Sequence, residues 1–351
     1  MNLALATKLE LPAAVPLPKS QRIAGLDFTK GALVLLMVVY HWANYFIGPG
    51  WEYYKYLRFL TPSFIFITGF MISNVYLSKY AATDPRLPKR LFTRGLKLLA
   101  VFVGLNAARM LVAPLLGTGG LQQNPLSLTS IFTIFISGNY PVVGGKLVSF
   151  SILVPISYSL LLSGVLMLPY RAYKRTFHVV CVVLLLWIAI LALTRVESYN
   201  LEFVSIGMLG VLAGFAPIAS VNAFVRHPYA LGFAYLCYAV LITVWYMPFP
   251  VIVLGVVLSL MVIYLMGISG SETGAVWNEL ILLGKYSLLG YIAQIAILQI
   301  LSAGFHRGDL GSVGLVISFF AAFFLTIASV RMVNSARTIA RLDRLYKLVF
   351  A

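Results

Sequence analysis

The chain reads as an all-α polytopic integral membrane protein: a bundle of about ten transmembrane helices with both termini in the cytoplasm. Three observations lead there. Of its 351 residues 61% are hydrophobic and only 10% are charged, whereas a soluble domain carries roughly 25% charge. The apolar residues gather in runs of about twenty, the length that crosses a hydrocarbon core as a helix. The basic residues sort to one side of those runs. The same numbers exclude other classes. An aromatic content of 14% rules out a disordered chain. The net charge of +16 would suggest nucleic acid in a soluble protein. Here it reads as cationic cytoplasmic loops facing the lipid bilayer, and no nucleic-acid partner is expected. Cys181 and Cys237 both lie inside apolar runs, so no disulfide framework is expected. No Cys/His spacing resembles a metal site.

Taken in order, residues 1–21 form a flexible tail. Pro12, Pro16 and Pro18 break its weak apolar stretch, and it lacks the pattern of a signal peptide. Residues 22–335 hold the spans, at roughly 28–47, 59–78, 95–116, 147–169, 178–194, 202–221, 229–247, 249–268, 279–302 and 312–332. Segment 126–137 is too short to cross and lies in an uncharged, Gly- and Pro-rich loop, so it is re-entrant or interfacial. Residues 336–351 are a basic C-terminal tail. With the N-terminus inside, 20 basic residues fall in cytoplasmic segments and 5 outside, which sets the orientation in an inner cell membrane. No internal repeat is evident, against a transporter built from inverted halves. Whether the bundle stands alone or as a homodimer is left open.

The first span carries the chemistry. Lys30 and His41 are eleven residues apart, about three helical turns, so both project on nearly one face. Asp27 and Asn44 fall within roughly 60° of Lys30. An ionisable side chain inside a bilayer is costly and marks a functional position. Imidazole titrates in the range suited to a general base. The competing reading is a neutral His41 bonded to a neighbouring backbone. His178, His227 and His306 fall at helix ends or in loops, as interfacial or solvated residues.

These residues resemble a known family. Leu26-Asp27, Lys30-Gly31 and His41 are similar to the first-helix signature of the acyltransferase-3 superfamily of membrane acyltransferases. That group includes polysaccharide O-acetyltransferases, glucan succinyltransferases and, more distantly, heparan-α-glucosaminide N-acetyltransferases. Thr61 to Phe70 is similar to its second helix, and Lys89 to Lys97 to the basic start of its third. Leu283-Gly284, Ser287 and Tyr291 are similar to a motif near its C-terminal end. The likeness covers about 22–100 and 281–300. Many members carry a His shortly after that Tyr; here Gln294 and Gln299 occupy the helix.

The resemblance implies acyl-CoA, chiefly acetyl-CoA, as co-substrate on the cytoplasmic side, with no bound cofactor. It also implies a carbohydrate or other cell-envelope acceptor. His41 would then be the general base on the acceptor or the transient carrier of the acyl group, with Asp27 and Lys30 tuning it or positioning the thioester. Arg90, Arg94 and Lys97 suit a polyanionic coenzyme; the bland alternative is an ordinary positive-inside loop. Ser287 and Tyr291 join the pocket through their motif. Asn106 and Arg109, one turn apart in the third span, are pocket candidates, and a buried Arg109 needs a partner such as Glu52, Glu202 or substrate. Loop 117–145 is either an outer lid or a connector. A transporter or flippase with His41 and Arg109 in its path is the main competing function. A catalytically silent membrane scaffold is the third.

Overall fold

The computed structural model describes residues 23–48, 52–77, 80, 84–112, 128–138, 148–245, 248–270, 274–308 and 311–350. Within them all regular structure is helical. The first half of the chain forms α1 (Ala24–Phe46), α2 (Tyr54–Leu57), α3 (Leu60–Met71), α4 (Arg86–Val112), α5 (Leu128–Phe132), α6 (Leu153–Tyr170) and α7 (Thr176–Leu193). The second half forms α8 (Tyr199–Ala213), α9 (Ile218–Val225), α10 (Pro228–Val244), α11 (Phe249–Ser269), α12 (Ala275–Lys285), α13 (Ser287–Gly308), α14 (Gly311–Ala336) and α15 (Ala340–Phe350). A π-helical stretch continues α3 through Ile72–Leu77, and another continues α5 through Thr133–Ser137.

With Tyr54–Leu77 (α2, α3 and its π-helical continuation) taken as one helix, eight among the described residues are long and apolar enough to cross a membrane. Two expected spans come out differently. The run at 202–221 breaks after Ala213, and α9 leaves α8 at 98°. Pro217 caps α9 from an extended ψ of 141°, which a continuous helix cannot accept. Asn74 meets the freed ends, donating to the carbonyls of Gly214 at 3.3 Å and Ala216 at 3.0 Å. The run at 279–302 divides at Tyr286, whose φ of −113° and ψ of 29° end α12 before α13 starts. The run at 229–247 is α10, 17 residues long and thus just short of the others. Segment 126–137 is described from Leu128 as a short helix ending at Gly138, whose φ of 71° favours glycine. The basic tail after 336 is itself helical. The expected tail at 1–21 lies outside the described residues, as does most of 117–145.

Hydrophobic side chains line both the interior and the outward face of the bundle. On α10, Tyr229, Phe233, Leu236, Val240 and Val244 recur at helical spacing and are all exposed. Such a face is stable against lipid and not against water. With acyl chains outside, apolar burial gives helices little reason to associate, so close backbone approach does it. A Cβ on Gly31 would overlap the Leu280 carbonyl, and one on Gly284 would overlap that of Asp27. Gly69 and Gly210 make the same close crossing between α3 and α8, against the carbonyls of Gly207 and Phe66. Buried hydroxyls close on backbone carbonyls. Thr29 donates to Gly25 at 2.7 Å within α1, and Ser157 donates from α6 to Gly95 of α4 at 2.6 Å.

The glycine contacts bring together segments that are about 250 residues apart in the chain. Asp27–Gly31 and Leu280–Gly284 form one α1–α12 seam, and α13 leaves that seam to run back along α1.

Candidate active site

Two cavities open along α1. The first, of about 260 Å³, lies at the end of the bundle where the basic residues gather. Lys30, Arg94, Lys97 and Lys285 bring four cationic side chains to it from α1, α4 and α12. Lys30 pairs with Asp27 at 2.5 Å, one turn back on α1 and 7% exposed. That carboxylate offsets the cost of holding the ammonium away from bulk water. Ser287 and Tyr291 of α13 complete one wall, and Tyr346, Val349 and Phe350 of α15 complete another.

Beside this cavity lies a basin of about 470 Å³, lined by Arg86, Lys89, Arg90, Arg94, Thr93 and Tyr76. Arg94 and Tyr76 belong to both spaces. Arg90 donates to the Tyr80 hydroxyl and lies 4.9 Å from its ring centre; Arg94 lies 5.5 Å from that of Tyr76. Asp84 takes a bidentate contact from Arg86, which holds its carboxyl below the usual range. The basin therefore offers guanidinium groups already oriented by aromatic rings, a surface matched to phosphate.

The second cavity, of about 250 Å³, lies farther along α1 toward the opposite end. His41 lines it beside Tyr40, together with Tyr54, Arg58 and Glu202 from the first turn of α8. The Tyr40 and Tyr54 hydroxyls are 2.6 Å apart. The His41 ring centre is 5.1 Å from that of Tyr40 and 6.1 Å from that of Tyr291. An imidazole, a carboxylate, a guanidinium and several hydroxyls thus share one small space. That set can bind a polyhydroxylated molecule and take up a proton.

Tyr291 and Ile152 line both cavities, so the two spaces abut there. The segment beneath this junction is held in an unusual shape. Phe150 has a φ of 61°, rare for a bulky residue, and its ring packs edge-on against Tyr291 at 6.2 Å. Asn106 brackets the neighbouring peptide: its amide donates to the Ser149 carbonyl at 3.0 Å and accepts from the Ser149 N–H at 2.9 Å. Gln299 donates to the Ser149 hydroxyl at 3.0 Å.

The residues singled out from the sequence are thereby distributed. Lys30, Arg94, Lys97, Ser287 and Tyr291 line the basic cavity, and His41 and Tyr291 line the second. Arg90 lies in the basin, and Asp27 stands behind Lys30. Asn44 lines neither cavity. Asn106 supports the junction from outside, and Arg109 stands near Tyr45, also outside both cavities. Tyr40 and Tyr54 belong to the aromatic cluster expected from the sequence at the outer end of the first span, whereas Arg58, Tyr286 and Tyr346 were not singled out. Tyr286 had a signal, since it sits inside the motif of Gly284 and Ser287. Tyr346 had one too: apolar residues recur every three to four positions through the basic tail. No metal-binding cluster of His, Cys, Asp and Glu occurs among the described residues. The chain matches no protein-family model, no curated protein and no solved structure.

Proposed function

We propose that this protein is a membrane acyltransferase that moves an acyl group, of acetyl or succinyl type, from acyl-CoA to a carbohydrate or other cell-envelope acceptor. One observation carries the reading: a cationic cavity and a His-containing, hydroxyl-rich cavity abut at Tyr291 and Ile152. In this reading the coenzyme phosphates bind the basin around Arg90 and Arg94, and the thioester arm follows Arg94 into the basic cavity. The acceptor occupies the second cavity. His41 takes the acceptor proton as its oxygen or nitrogen attacks the thioester carbonyl. The C–S bond breaks, and the leaving CoA thiolate takes the proton that His41 had accepted, which returns His41 to its neutral form. Lys30 and His41 are roughly 16 Å apart along the helix, so the two act on different ends of the reacting pair.

Topology follows in the same reading. The start of α1 and the end of α15 both border the basic cavity, so the number of crossings between them is even. Counting α8 and α10 with the eight longer helices makes ten. The basic end then lies in the cytoplasm of a cell whose inner membrane holds the protein.

The test is thiol release from a panel of acyl-CoAs by purified protein in nanodiscs, with a carbohydrate acceptor present. Turnover that falls about 10²–10⁴-fold in His41→Ala is the expected result. A stable preparation that neither binds nor consumes any acyl-CoA ends this reading. The alternative, a transporter or flippase, draws support from the break between α8 and α9, because discontinuous helices mark many transporter sites. Arg109, which it would place in the path, lines neither cavity.

A further inference from the structure

We propose that α15 is a membrane-surface helix that binds anionic phospholipid, and that this docking holds in place the α15 wall of the basic cavity. The inference is independent of what that cavity binds. It begins with how the faces of α15 are used. Tyr346, Val349 and Phe350 turn inward onto the cavity. Asp343, its one acidic residue, is consumed by Arg337 at 2.6 Å and Lys347 at 2.5 Å. Arg337 is clasped between the rings of Tyr286 and Tyr346, 5.5 and 4.3 Å from their centres. Lys97 of α4 donates to the Lys347 carbonyl at 3.3 Å. These contacts settle which way the helix faces.

The outward strip is then Arg341, Leu342, Arg344, Leu345 and Leu348, related by spacings of three, four and seven residues. The three leucines are 40%, 58% and 69% exposed. Arg341 and Arg344 make no ion pair among the described residues, and no carboxylate lies in the strip. Leucines set between unpartnered arginines suit one environment well: the headgroup boundary of an anionic leaflet. There the leucines sink into the acyl region while the guanidinium groups reach lipid phosphate. Position agrees. The helix begins nine residues after Arg331, whose exposed ion pair with Glu279 at 2.6 Å marks the polar end of α14. Neighbouring Arg86, Lys89 and Arg90 extend the same charge.

The test uses the whole chain in nanodiscs, in a Cys237→Ser background, with an environment-sensitive fluorophore on Leu345→Cys. A parallel label on Leu348→Cys repeats the reading should the first variant fold poorly. Nanodiscs of phosphatidylcholine alone are compared with nanodiscs that also contain phosphatidylglycerol. The expected result is a blue shift and loss of mobility in the anionic lipid, reversed by salt. Arg341→Gln with Arg344→Gln lowers the docked-to-released ratio about 30-fold, since each surface arginine adds about a factor of five. The same spectrum in both lipid compositions overturns the proposal, and so does a double variant that behaves like its parent. No acyl donor is present, so the outcome does not depend on the proposed reaction.

Discussion

Among individual residues, Gln294 sets a clear problem. It is wholly buried, and neither atom of its amide has a hydrogen-bond partner among the described residues. A buried unsatisfied amide costs about 1–3 kcal/mol. Gln294→Met, of similar shape, should therefore raise the thermal midpoint in detergent; a lower midpoint would show that the amide is satisfied in the working protein. Asn106 is the opposite case. It meets both main-chain polar groups of Ser149, and its loss leaves them buried and frees the strained Phe150. Asn106→Leu should lose about 1–3 kcal/mol, read as a lower unfolding temperature. It should also lower turnover without removing a group from either cavity. Asn106 was legible as a polar residue inside a span, but its role was not, because the peptide it holds lies 43 residues further on.

Whole elements are governed by backbone contact. Gly31 and Gly284 are where α1 and α12 touch. Gly31→Ala or Gly284→Ala should each cost about 1–3 kcal/mol or more, since a carbonyl cannot move aside as a side chain can. The check is thermal unfolding. An unchanged midpoint would mean that the helices meet elsewhere. These glycines are conspicuous in the sequence beside Lys30 and Lys285, yet only the fold shows that they face each other's helix. The ion pairs of Asp343 at the start of α15 depend on pH. Hydrogen bonds from Lys347 and then Arg337 hold the Asp343 carboxyl below its usual range, and the same contact raises Arg337. A depressed carboxylate contributes fully above its unfolded pKa, and the contribution is lost as pH falls through the folded value. Any change in the mobility of a label on α15 that is due to Asp343 should thus appear only on acidification below about pH 4, and Asp343→Asn should abolish that acid-side change.

For the whole molecule, Lys30 and Phe350 line one cavity, and the proposed ten-crossing topology accordingly predicts both ends of the described chain on one side of the membrane. Tags fused before residue 1 and after residue 351 should be cleaved by protease from the same face of sealed vesicles. Cleavage from opposite faces means an odd number of crossings, and would remove α8 or α10 from the count. The two cavities also predict separable kinetics. In the proposed reaction, Arg94→Ala should raise the KM for an acyl-CoA with a smaller effect on kcat, because there its guanidinium would meet the coenzyme in ground and transition states alike. His41→Ala should lower kcat instead.

The sequence by itself determined the membrane-spanning class, most of the helix positions and the stripe of Asp27, Lys30 and His41. Each depends on residues close together in the chain: length against bilayer thickness, and spacing against the helical repeat. The tertiary structure decided what distant residues do together. It broke the spans at Pro217 and Tyr286, since a local backbone turn outweighs continuous hydropathy. It set Tyr291 between two cavities, turned Asn106 into a bracket, and made the basic tail a wall of one site. The junction at Tyr291 and the Asn106 bracket have no local signature, because each rests on contacts between segments tens to hundreds of residues apart.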